Sequence, residues 1–466
     1  MMKKMTLILL SLVMLCAAMA GCAPMTPGEE ETPARDPATI DLELDPDTQA
    51  EISILIPSGN ANETTMIDAL IDSFNLKYPY VTFKYSYLSV NSYENTIRNL
   101  ARTGSLDDIF WTNSPDLYYP ADTGLAENLT PYIEASEAAG LFDVDVDFYQ
   151  EFFDCSSMEG QLYAIPRSAD SVVTFINKDI LKKAGVDLNP ETTVVKNGWT
   201  WDQFLDVCQQ VRDYLDKNGR QSHYVVDANL TAWLSTCYPI LRSYGADILD
   251  EEGNNSVDTP ETRACLEMLR EMVEKRYIVD TSKESASSYQ SGTSAFLFQS
   301  ASVSLYANQP DLKDKFTGER FVDLVSFPLI GENPKIGSGI AGYMINADLS
   351  DEEKDVCWAF LCHMLSKEGQ QAMGGAGLNL ASIRRDLADY TTANWGKDYS
   401  DINMSAYLYG SEYKIAVDFL ERVDASYKSD LDRATKGLFN NALNLSKSID
   451  DAIASCVKEV DNALIG

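Results

Sequence analysis

Strand-like and helix-like patterns of apolar residues alternate along the chain from about residue 50. Residues 51–56 and 81–87 alternate apolar and polar positions, which is typical of half-buried strands. Residues 64–74 carry apolar side chains at i, i+3 and i+4 spacing, which predicts an amphipathic helix, and residues 93–102 predict a second helix. A short buried strand is predicted at 107–111. Strands that alternate with helices indicate an α/β fold whose sheet is mainly parallel and flanked by helices.

Ligands in such sheets bind beyond the C-terminal ends of the strands. Residues 58–62 follow the first predicted strand, and residues 111–114 follow the third. Both segments are therefore expected at one rim of the sheet.

Two tryptophans lie at the start of a later predicted helix. Thr200 is a good N-cap for a helix that begins at Trp201, because its hydroxyl can accept from an N–H of the first turn. We expect Trp199 and Trp201 to pack in the core there.

The first 21 residues have the layout of a secretory signal peptide. Lys3 and Lys4 precede an apolar run, and small residues follow before Cys22. The run is shorter than the roughly 20 apolar residues of a membrane-spanning helix. The end of the leader resembles a bacterial lipobox, with Met19 where leucine is usual, which implies a lipid on Cys22. The alternative is an ordinary signal peptide in which Cys22 plays no part.

Residues 22–49 combine prolines with acidic residues and contain few large apolar side chains. Such a composition buries too little surface to fold, so we expect an extended, solvated linker. Lipid, linker and globular body together predict a protein held at the extracellular face of the bacterial cell membrane.

Composition narrows the classes of ligand and partner. The chain has 466 residues, of which 45% are hydrophobic, and two lobes are the natural expectation for its body. The formal net charge is −34, which becomes −36 once the two leader lysines are removed. So acidic a chain is repelled by nucleic acid and by anionic lipid, which leaves a neutral or locally cationic ligand.

The number and spacing of the cysteines and histidines do not favour a catalytic or metal-binding site built from them. Two of the nine cysteines lie in or directly after the leader, and the other seven show no regular spacing and no C-x-x-C pair. The chain contains two histidines, His223 and His363, and the second lies in an apolar helical pattern. We therefore expect no zinc site, no Ser-His-Asp triad and no cofactor.

A set of short motifs occurs in one consistent order along the body. The segments are Lys77-Tyr78-Pro79-Tyr80-Val81, Asp108-Ile109-Phe110-Trp111, Leu162-Tyr163-Ala164-Ile165-Pro166, Phe175-Ile176-Asn177-Lys178-Asp179, Trp199-Thr200-Trp201-Asp202, Gly292-Thr293-Ser294-Ala295-Phe296 and Glu368-Gly369-Gln370-Gln371-Ala372. Together they resemble the bacterial extracellular solute-binding proteins of the sugar-binding family that includes maltose-binding protein. Each motif alone is weak, whereas the ordered set covers nearly the whole body.

This resemblance implies a two-lobed, periplasmic-binding-protein-like fold of type II. Each lobe would hold a mixed, mainly parallel sheet flanked by helices, and a hinge would join the lobes. The implied organisation is a signal peptide at 1–21, a lipid-anchored linker at 22–49, an N-terminal lobe at 50–164 plus about 322–375, and a C-terminal lobe at 165–321 plus about 376–466.

The resemblance also implies a ligand cleft between the lobes, built from aromatic and polar side chains. Aromatic faces suit the C–H side of a sugar ring, and amides, hydroxyls and carboxylates suit its hydroxyls. The candidate residues are Trp111, Asn113, Ser114, Asp170, Trp233, Tyr306 and Tyr343.

Several of these candidates have a purely structural alternative. Asp170 is equally interpretable as a surface or hinge carboxylate, and Trp233 as a residue packed beneath Tyr238. Tyr306 lies where relatives place a stacking aromatic, although the local sequence departs from theirs. Tyr343 follows a glycine-rich turn that lets the backbone approach a ligand. No Gly-Lys-Ser/Thr follows that turn, so a phosphate cradle is not expected.

The function implied is the solute-binding component of an ABC importer. It would bind a sugar or oligosaccharide by hinge closure, act as a monomer without enzymatic activity, and deliver the solute to a membrane permease. The alternatives are a polyamine, peptide or iron ligand in the same fold, and a surface glycan-binding protein. A glycoside hydrolase, which needs two carboxylates about 5–9 Å apart, is the enzymatic alternative.

Overall fold

The computed structural model describes residues 35–465 except 59, 60, 115, 229, 232, 286, 301 and 377–379. Cys22 and the leader therefore lie outside the described residues. The strands are β1 (Ala50–Pro57), β2 (Val81–Leu88), β3 (Ile109–Asn113), β4 (Ser157–Met158), β5 (Gln161–Leu162), β6 (Ile165–Pro166), β7 (Asp170–Ser171), β8 (Val173–Asn177), β9 (Val226–Ala228), β10 (Phe296–Gln299), β11 (Val322–Ser326), β12 (Ile336–Gly339), β13 (Ala341–Ile345) and β14 (Lys414–Ile415).

Helices surround these strands. The α-helices are α1 (Ala61–Phe74), α2 (Tyr93–Arg102), α3 (Tyr118–Asp122), α4 (Thr130–Ala138), α5 (Val144–Asp147), α6 (Gln150–Asp154), α7 (Lys178–Lys183), α8 (Trp201–Lys217), α9 (Leu234–Ser243), α10 (Pro260–Glu274), α11 (Ser304–Ala307), α12 (Asp351–Leu365), α13 (Lys367–Gly374), α14 (Ala425–Ala442) and α15 (Ile449–Ile465). Short 3₁₀ turns occupy Pro37–Thr39, Val90–Ser92, Pro310–Leu312, Arg385–Leu387, Asn394–Tyr399, Met404–Leu408, Ser411–Tyr413 and Asp418–Arg422.

The first lobe is built on a sheet of order β2-β1-β3-β13-β6. β1 is parallel to both β2 and β3, which confirms the alternation of strand and helix predicted for residues 51–111. β13 is antiparallel to β3 and to β6, so it enters this sheet from the opposite direction. The C-terminal ends of β1 and β3 accordingly share one rim.

The second lobe is built on a sheet of order β11-β8-β10-β9. β8 is antiparallel to both of its neighbours, and β10 is parallel to β9. The two-lobed α/β fold is thus confirmed, although this sheet is less parallel than expected. The expected start of the re-entry at about 322 is also wrong, because β11 pairs with β8 in the second lobe. The chain returns to the first lobe through β12 and β13.

A small sheet of order β14-β12-β7 lies where the chain passes between the lobes. β12 is antiparallel to β7 and parallel to β14, so segments from three separate parts of the chain are hydrogen-bonded to one another. This sheet is the structural counterpart of the expected hinge.

The end of the expected linker is packed and not solvated. Ile40 and Leu44 are buried, and the Asp41 amide N–H donates to Asp355 Oδ2 on α12 at 3.2 Å. The expectation of a solvated linker up to residue 49 is therefore wrong for its last part. Two apolar side chains among acidic residues are enough to dock the segment.

The expected helix cap and core tryptophans are confirmed. Thr200 forms a capping box with Gln203 at the start of α8. Trp199 and Trp201 are buried, and the Trp199 indole N–H donates to the Ser326 carbonyl at 2.9 Å.

The described cysteines are free thiols, and six of the seven are buried. Within the described ranges, no helix combines the length and apolar character needed to cross a membrane.

A buried ion pair joins β14 to the first lobe. Lys414 Nζ lies 3.2 Å from Glu151 Oε1 on α6 and donates to the Tyr407 carbonyl at 3.0 Å. The lysine side chain is fully buried and that of the glutamate is 10% exposed. Burial lowers the pKa of Lys414, while the Glu151 carboxylate acts in the opposite direction.

We predict that Lys414→Met lowers the free energy of unfolding by about 3–5 kcal/mol, because it leaves Glu151 buried without its partner charge. Urea denaturation followed by circular dichroism measures this loss. The double variant Glu151→Gln/Lys414→Met carries no unpaired charge and should lose clearly less. Equal losses in the two variants would contradict the explanation.

Candidate functional site

A cavity of about 230 Å³ lies between the two lobes, next to the small crossing sheet. It is lined by Trp111, Asn113, Ser114, Arg167, Asp170, Val172, Trp233, Ser235, Ser338, Gly339, Ile340 and Ala341. Five of the seven residues predicted from the sequence are brought together here: Trp111, Asn113, Ser114, Asp170 and Trp233. The described residues of the segment 58–62 do not line this cavity.

The end of β3 forms the first wall. Asn113 is paired with Ala341 of β13, and the chain then turns at Ser114. The Ser114 amide N–H donates to the Ile340 carbonyl at 3.2 Å, and the Ile340 amide N–H donates to Ser114 Oγ at 3.3 Å. Ser114 therefore fastens the β12–β13 segment to the rim, in addition to lining the cavity.

Trp111 lines this wall with a mostly buried indole. Its exposed fraction is 6%, and its ring meets Tyr93 edge-on at 6.2 Å between centroids. No described residue accepts a hydrogen bond from its indole N–H. The nitrogen itself is inaccessible, so the indole contributes ring carbons, not its N–H, to the wall of the cavity.

Asp170 and Arg167 bring opposite charges to the cavity from the first crossing. Burial raises the pKa of Asp170, whereas a hydrogen bond from Ser300 and the nearby Arg167 charge act to lower it. Arg167 Nε lies 3.0 Å from Glu63 Oε1 on α1, and Glu63 is fully buried. The Glu63 carboxylate thus neutralises the Arg167 guanidinium, so the cavity is not strongly cationic.

The second wall comes from the start of α9. Trp233 is half-buried directly before the helix, and Ser235 lies in its first turn. The backbone of β12 runs very close to this turn, since a Cβ on Gly337 would lie 1.7 Å from the Ser235 carbonyl oxygen. The glycine-rich turn predicted to allow a close approach therefore approaches α9, and its later residues 338–341 line the cavity.

Two predicted residues lie elsewhere. Tyr306 packs against Phe175 and Tyr289 in the second lobe, with ring centroids 4.9 Å and 5.7 Å away. Tyr343 is 1% exposed, and its hydroxyl donates to Glu63 Oε1 at 2.8 Å. Tyr343 lies on β13 two residues further from the rim than Ala341, beneath α1, so it does not face the cleft as expected.

Sequence reasoning missed Arg167, Val172 and Ser235 as lining residues. Arg167 directly follows the motif that ends at Pro166, where the chain was expected to pass between the lobes. A charged residue at that position could have been predicted to line the cleft. Val172 and Ser235 have no distinguishing sequence feature. Within the described part of the chain, no cluster of three or more potential ligands is arranged to hold a metal ion.

The sequence profile described as "Bacterial extracellular solute-binding protein" matches residues 69–401. That range includes every residue that lines the cavity, whereas β1, β14 and the two C-terminal helices lie outside it. The chain belongs to this family. The family consists of binding proteins, which confirms the expectation that this solute-binding protein is not an enzyme.

Two curated relatives illustrate the breadth of the family. An arabinooligosaccharide-binding protein of Halalkalibacterium halodurans is 26% identical over 126 residues, which is 27% of this chain and 25% of that protein. A lactose-binding protein of Rhizobium radiobacter is 23% identical over 327 residues, which is 68% of this chain and 71% of that protein.

Solved structures share the fold at low identity. The substrate-binding protein Lmo0181 of Listeria monocytogenes, in complex with cycloalternan, has a TM-score of 0.68 at 17% identity, covering 90% of this chain and 99% of that one. The sugar-binding protein MalE of Xanthomonas citri has a TM-score of 0.70 at 14% identity, covering 89% and 97%. UgpB of Mycobacterium tuberculosis, in complex with glycerophosphocholine, has a TM-score of 0.67 at 15% identity, covering 89% and 98%.

We predict that Gly337→Ala destabilises this solute-binding protein by about 1–3 kcal/mol or more, because the added methyl group forces β12 away from α9. Thermal unfolding measures the effect. The control is Gly437→Ala on α14, where the nearest atom to the added carbon, Glu459 Oε2, is 3.8 Å away. That change should be neutral or stabilise by up to about 1 kcal/mol. A Gly337→Ala protein as stable as the parent would disprove the close approach.

Proposed function

We propose that this chain is the solute-binding component of an ABC importer and that it binds a sugar or short oligosaccharide in the interlobe cavity. The observation that carries the proposal is the cavity itself, which places a tryptophan from each lobe beside a mixed set of hydrogen-bonding groups. A sugar presents hydroxyls that both donate and accept, so it needs such a mixture. Donors are available from Arg167 and Ser235, and acceptors from Asp170 and Asn113.

The size of the cavity favours a short ligand. Pockets for drug-sized molecules typically measure about 300–1,000 Å³, and this cavity of about 230 Å³ falls below that range. We therefore favour one or two sugar units over a long chain.

The charges favour a neutral solute over a polyamine. Asp170 lines the cavity as a single carboxylate, with the Arg167 guanidinium beside it. A polyamine would meet one carboxylate whose pKa burial raises, and a cation in the same space. The sugars named for the relatives support the same choice.

Binding would proceed by closure of the lobes around the solute. Trp111 and Asn113 belong to the first lobe, whereas Trp233 and Ser235 belong to the second. A solute that contacts both walls stabilises the closed arrangement by its differential affinity for it. The closed protein would then deliver the solute to a membrane permease.

We further propose that the protein acts as a monomer, anchored by a lipid on Cys22 at the outer face of the cell membrane. The leader and the position of Cys22 in the sequence support the anchor. We assign residues up to about 166 and about 336–375 to the N-terminal lobe and the remainder of the body to the C-terminal lobe, on the strength of the strand pairing.

We predict that a sugar raises the melting temperature of the mature protein in a screen of maltose, lactose, arabino-oligosaccharides, spermidine and glycerophosphocholine. A ligand at about 100 times its dissociation constant adds roughly 2.7 kcal/mol to folded-state stability, which is readily detected. A shift with spermidine or glycerophosphocholine and with none of the sugars would keep the family and overturn the sugar assignment. Consumption of a sugar during the assay would contradict a pure binding function.

We also predict that Trp111→Phe weakens binding of that sugar about 2- to 10-fold in isothermal titration calorimetry, because the smaller ring offers the solute less aromatic surface. Trp111→Ala is less informative, since the indole is buried and its removal would leave a hole in the core. Trp395→Phe is the matched control. Its indole N–H donates to the Leu387 carbonyl at 2.8 Å, away from the cavity, so this variant should lose stability and keep its affinity. Unchanged affinity in folded Trp111→Phe would remove Trp111 from the site.

A further inference from the structure

Glu63 is a buried carboxylate in the first turn of α1, outside the lining of the cavity. Its Oε1 atom accepts from the Tyr343 hydroxyl at 2.8 Å and lies 3.0 Å from Arg167 Nε. The side chains of the ion pair are 1% and 8% exposed. Among the residues that the structure describes, Arg167 is the one cation within ion-pair distance of Glu63. The two charges therefore compensate each other where solvent hardly reaches them.

Arg167 brings this ion pair into the wall of the cavity, because its side chain is one of the lining groups. Its amide N–H donates to the Ala341 carbonyl and its carbonyl accepts from the Gln370 side-chain amide, each at 3.1 Å. Its Nη1 donates to the Ser168 hydroxyl at 2.6 Å. These contacts hold the guanidinium in place beside Glu63. An occupant of the cavity thus meets the charge of the pair, not that of a free guanidinium.

The charge of Glu63 also reaches Asp170, the carboxylate in the cavity lining. Burial raises the pKa of Asp170 most, a hydrogen bond from Ser300 and the Arg167 charge lower it, and the Glu63 charge raises it further. Charges in a poorly solvated interior interact over several ångströms, so a charged group on a solute would feel the same field. Two carboxylates and one guanidinium leave no surplus of positive charge at this wall.

We propose that Glu63, acting through Arg167, is a specificity-determining residue that makes the cavity select neutral sugars over anionic ones. The proposal rests on the proposed function, because it refines the class of sugar bound there. A guanidinium without a partner attracts a carboxylate and binds it in a bidentate manner. A guanidinium paired with Glu63 can still donate to a neutral hydroxyl, but it offers an anion no net attraction. Sugars that carry a carboxylate, such as uronates, are thereby disfavoured.

The first test compares sugars that differ only in charge. Glucose and glucuronate differ in the group on the sixth carbon, as do galactose and galacturonate, and calorimetry gives the affinity for each. The parent should bind the neutral member of a pair more tightly. Glu63→Gln should raise the ratio of anionic to neutral affinity about 10-fold, the size expected for unit charges about 10 Å apart at an effective dielectric constant of about 20. A parent that prefers the uronate, or an unchanged ratio in folded Glu63→Gln, overturns the proposal.

Two variants separate the charge of Glu63 from its packing. Tyr343→Phe removes the hydroxyl that donates to the same carboxylate oxygen and keeps both charges, so it should lose stability and keep the ratio of affinities. Glu63→Asp keeps the charge on a shorter side chain and should also keep the ratio, whatever its effect on each affinity. A 10-fold change of the ratio in either variant would show that packing sets the selectivity, and would overturn the proposal.

The double variant Glu63→Gln/Arg167→Gln keeps the proposal testable if Glu63→Gln fails to fold. It leaves no unpaired charge at these two positions, so it should fold. Both affinities should fall because the N–H groups of Arg167 are lost. The ratio should stay within about 3-fold of the parent value, since the pair contributes no net charge. If Arg167 alone controlled the selectivity, the ratio would fall about 10-fold in the double variant, and that result overturns the proposal.

Titration of Asp170 measures the charge at the cavity without any solute. In protein that contains carbon-13 aspartate, the carboxyl resonance of Asp170 is assigned from its absence in Asp170→Asn. Its midpoint should move to lower pH in Glu63→Gln, because the Glu63 charge raises the pKa of Asp170, and should not move in Tyr343→Phe. An unmoved midpoint in Glu63→Gln overturns the proposal. If none of the four sugars binds, the proposed function fails for monosaccharides, and this titration alone decides whether Glu63 controls the charge at the cavity.

Discussion

The antiparallel pairing of β13 with β3 is the constraint on which the site depends. It matches Ala341 with Asn113 and Tyr343 with Trp111, while the other edge of β13 pairs with β6. The packing leaves no spare room, since a Cβ on Gly342 would lie 2.5 Å from the Ile165 carbonyl oxygen. β13 thereby holds the end of β3, at the rim of the first lobe, next to β6, which precedes the first crossing between the lobes. A shift of one residue would turn every side chain of β13 to the opposite face.

Buried charges lie where the chain passes between the lobes. Glu63 accepts from Tyr343 and pairs with Arg167 at the first crossing, and Lys414 on β14 pairs with Glu151 on α6 of the first lobe. Such pairs add little net stability, because removing two charges from water offsets most of their attraction. The two partners of each pair must nevertheless keep their positions, because moving one of them leaves the other buried charge unpaired. We infer that they hold the segments beside the small crossing sheet in one arrangement.

The sequence predicted local structure well, because caps and periodicity are local properties. The box at Thr200 and the strands around 51–56, 81–87 and 107–111 follow from a few neighbouring residues. Trp111 and Asn113 were predicted from the resemblance to the sugar-binding family, and the structure places both within β3 and on the lining of the cavity. Tyr343 was misplaced because its depth depends on α1, which packs over it. The end of the linker and the partner of β11 were missed for the same reason, since both depend on residues distant in sequence.

The cavity is less negative than the overall charge of −34 suggests. The one carboxylate among its lining residues, Asp170, has a raised pKa, and so does Asp116 in the loop between β3 and α3. Arg167 adds a positive charge that is already paired with Glu63. Burial in low dielectric penalises the charged form of an acid, which is the main reason why the pKa of each of these two carboxyls is raised. Net charge therefore describes the outer surface, and the solute of the proposed function would meet a less charged, hydrogen-bonding interior between the lobes.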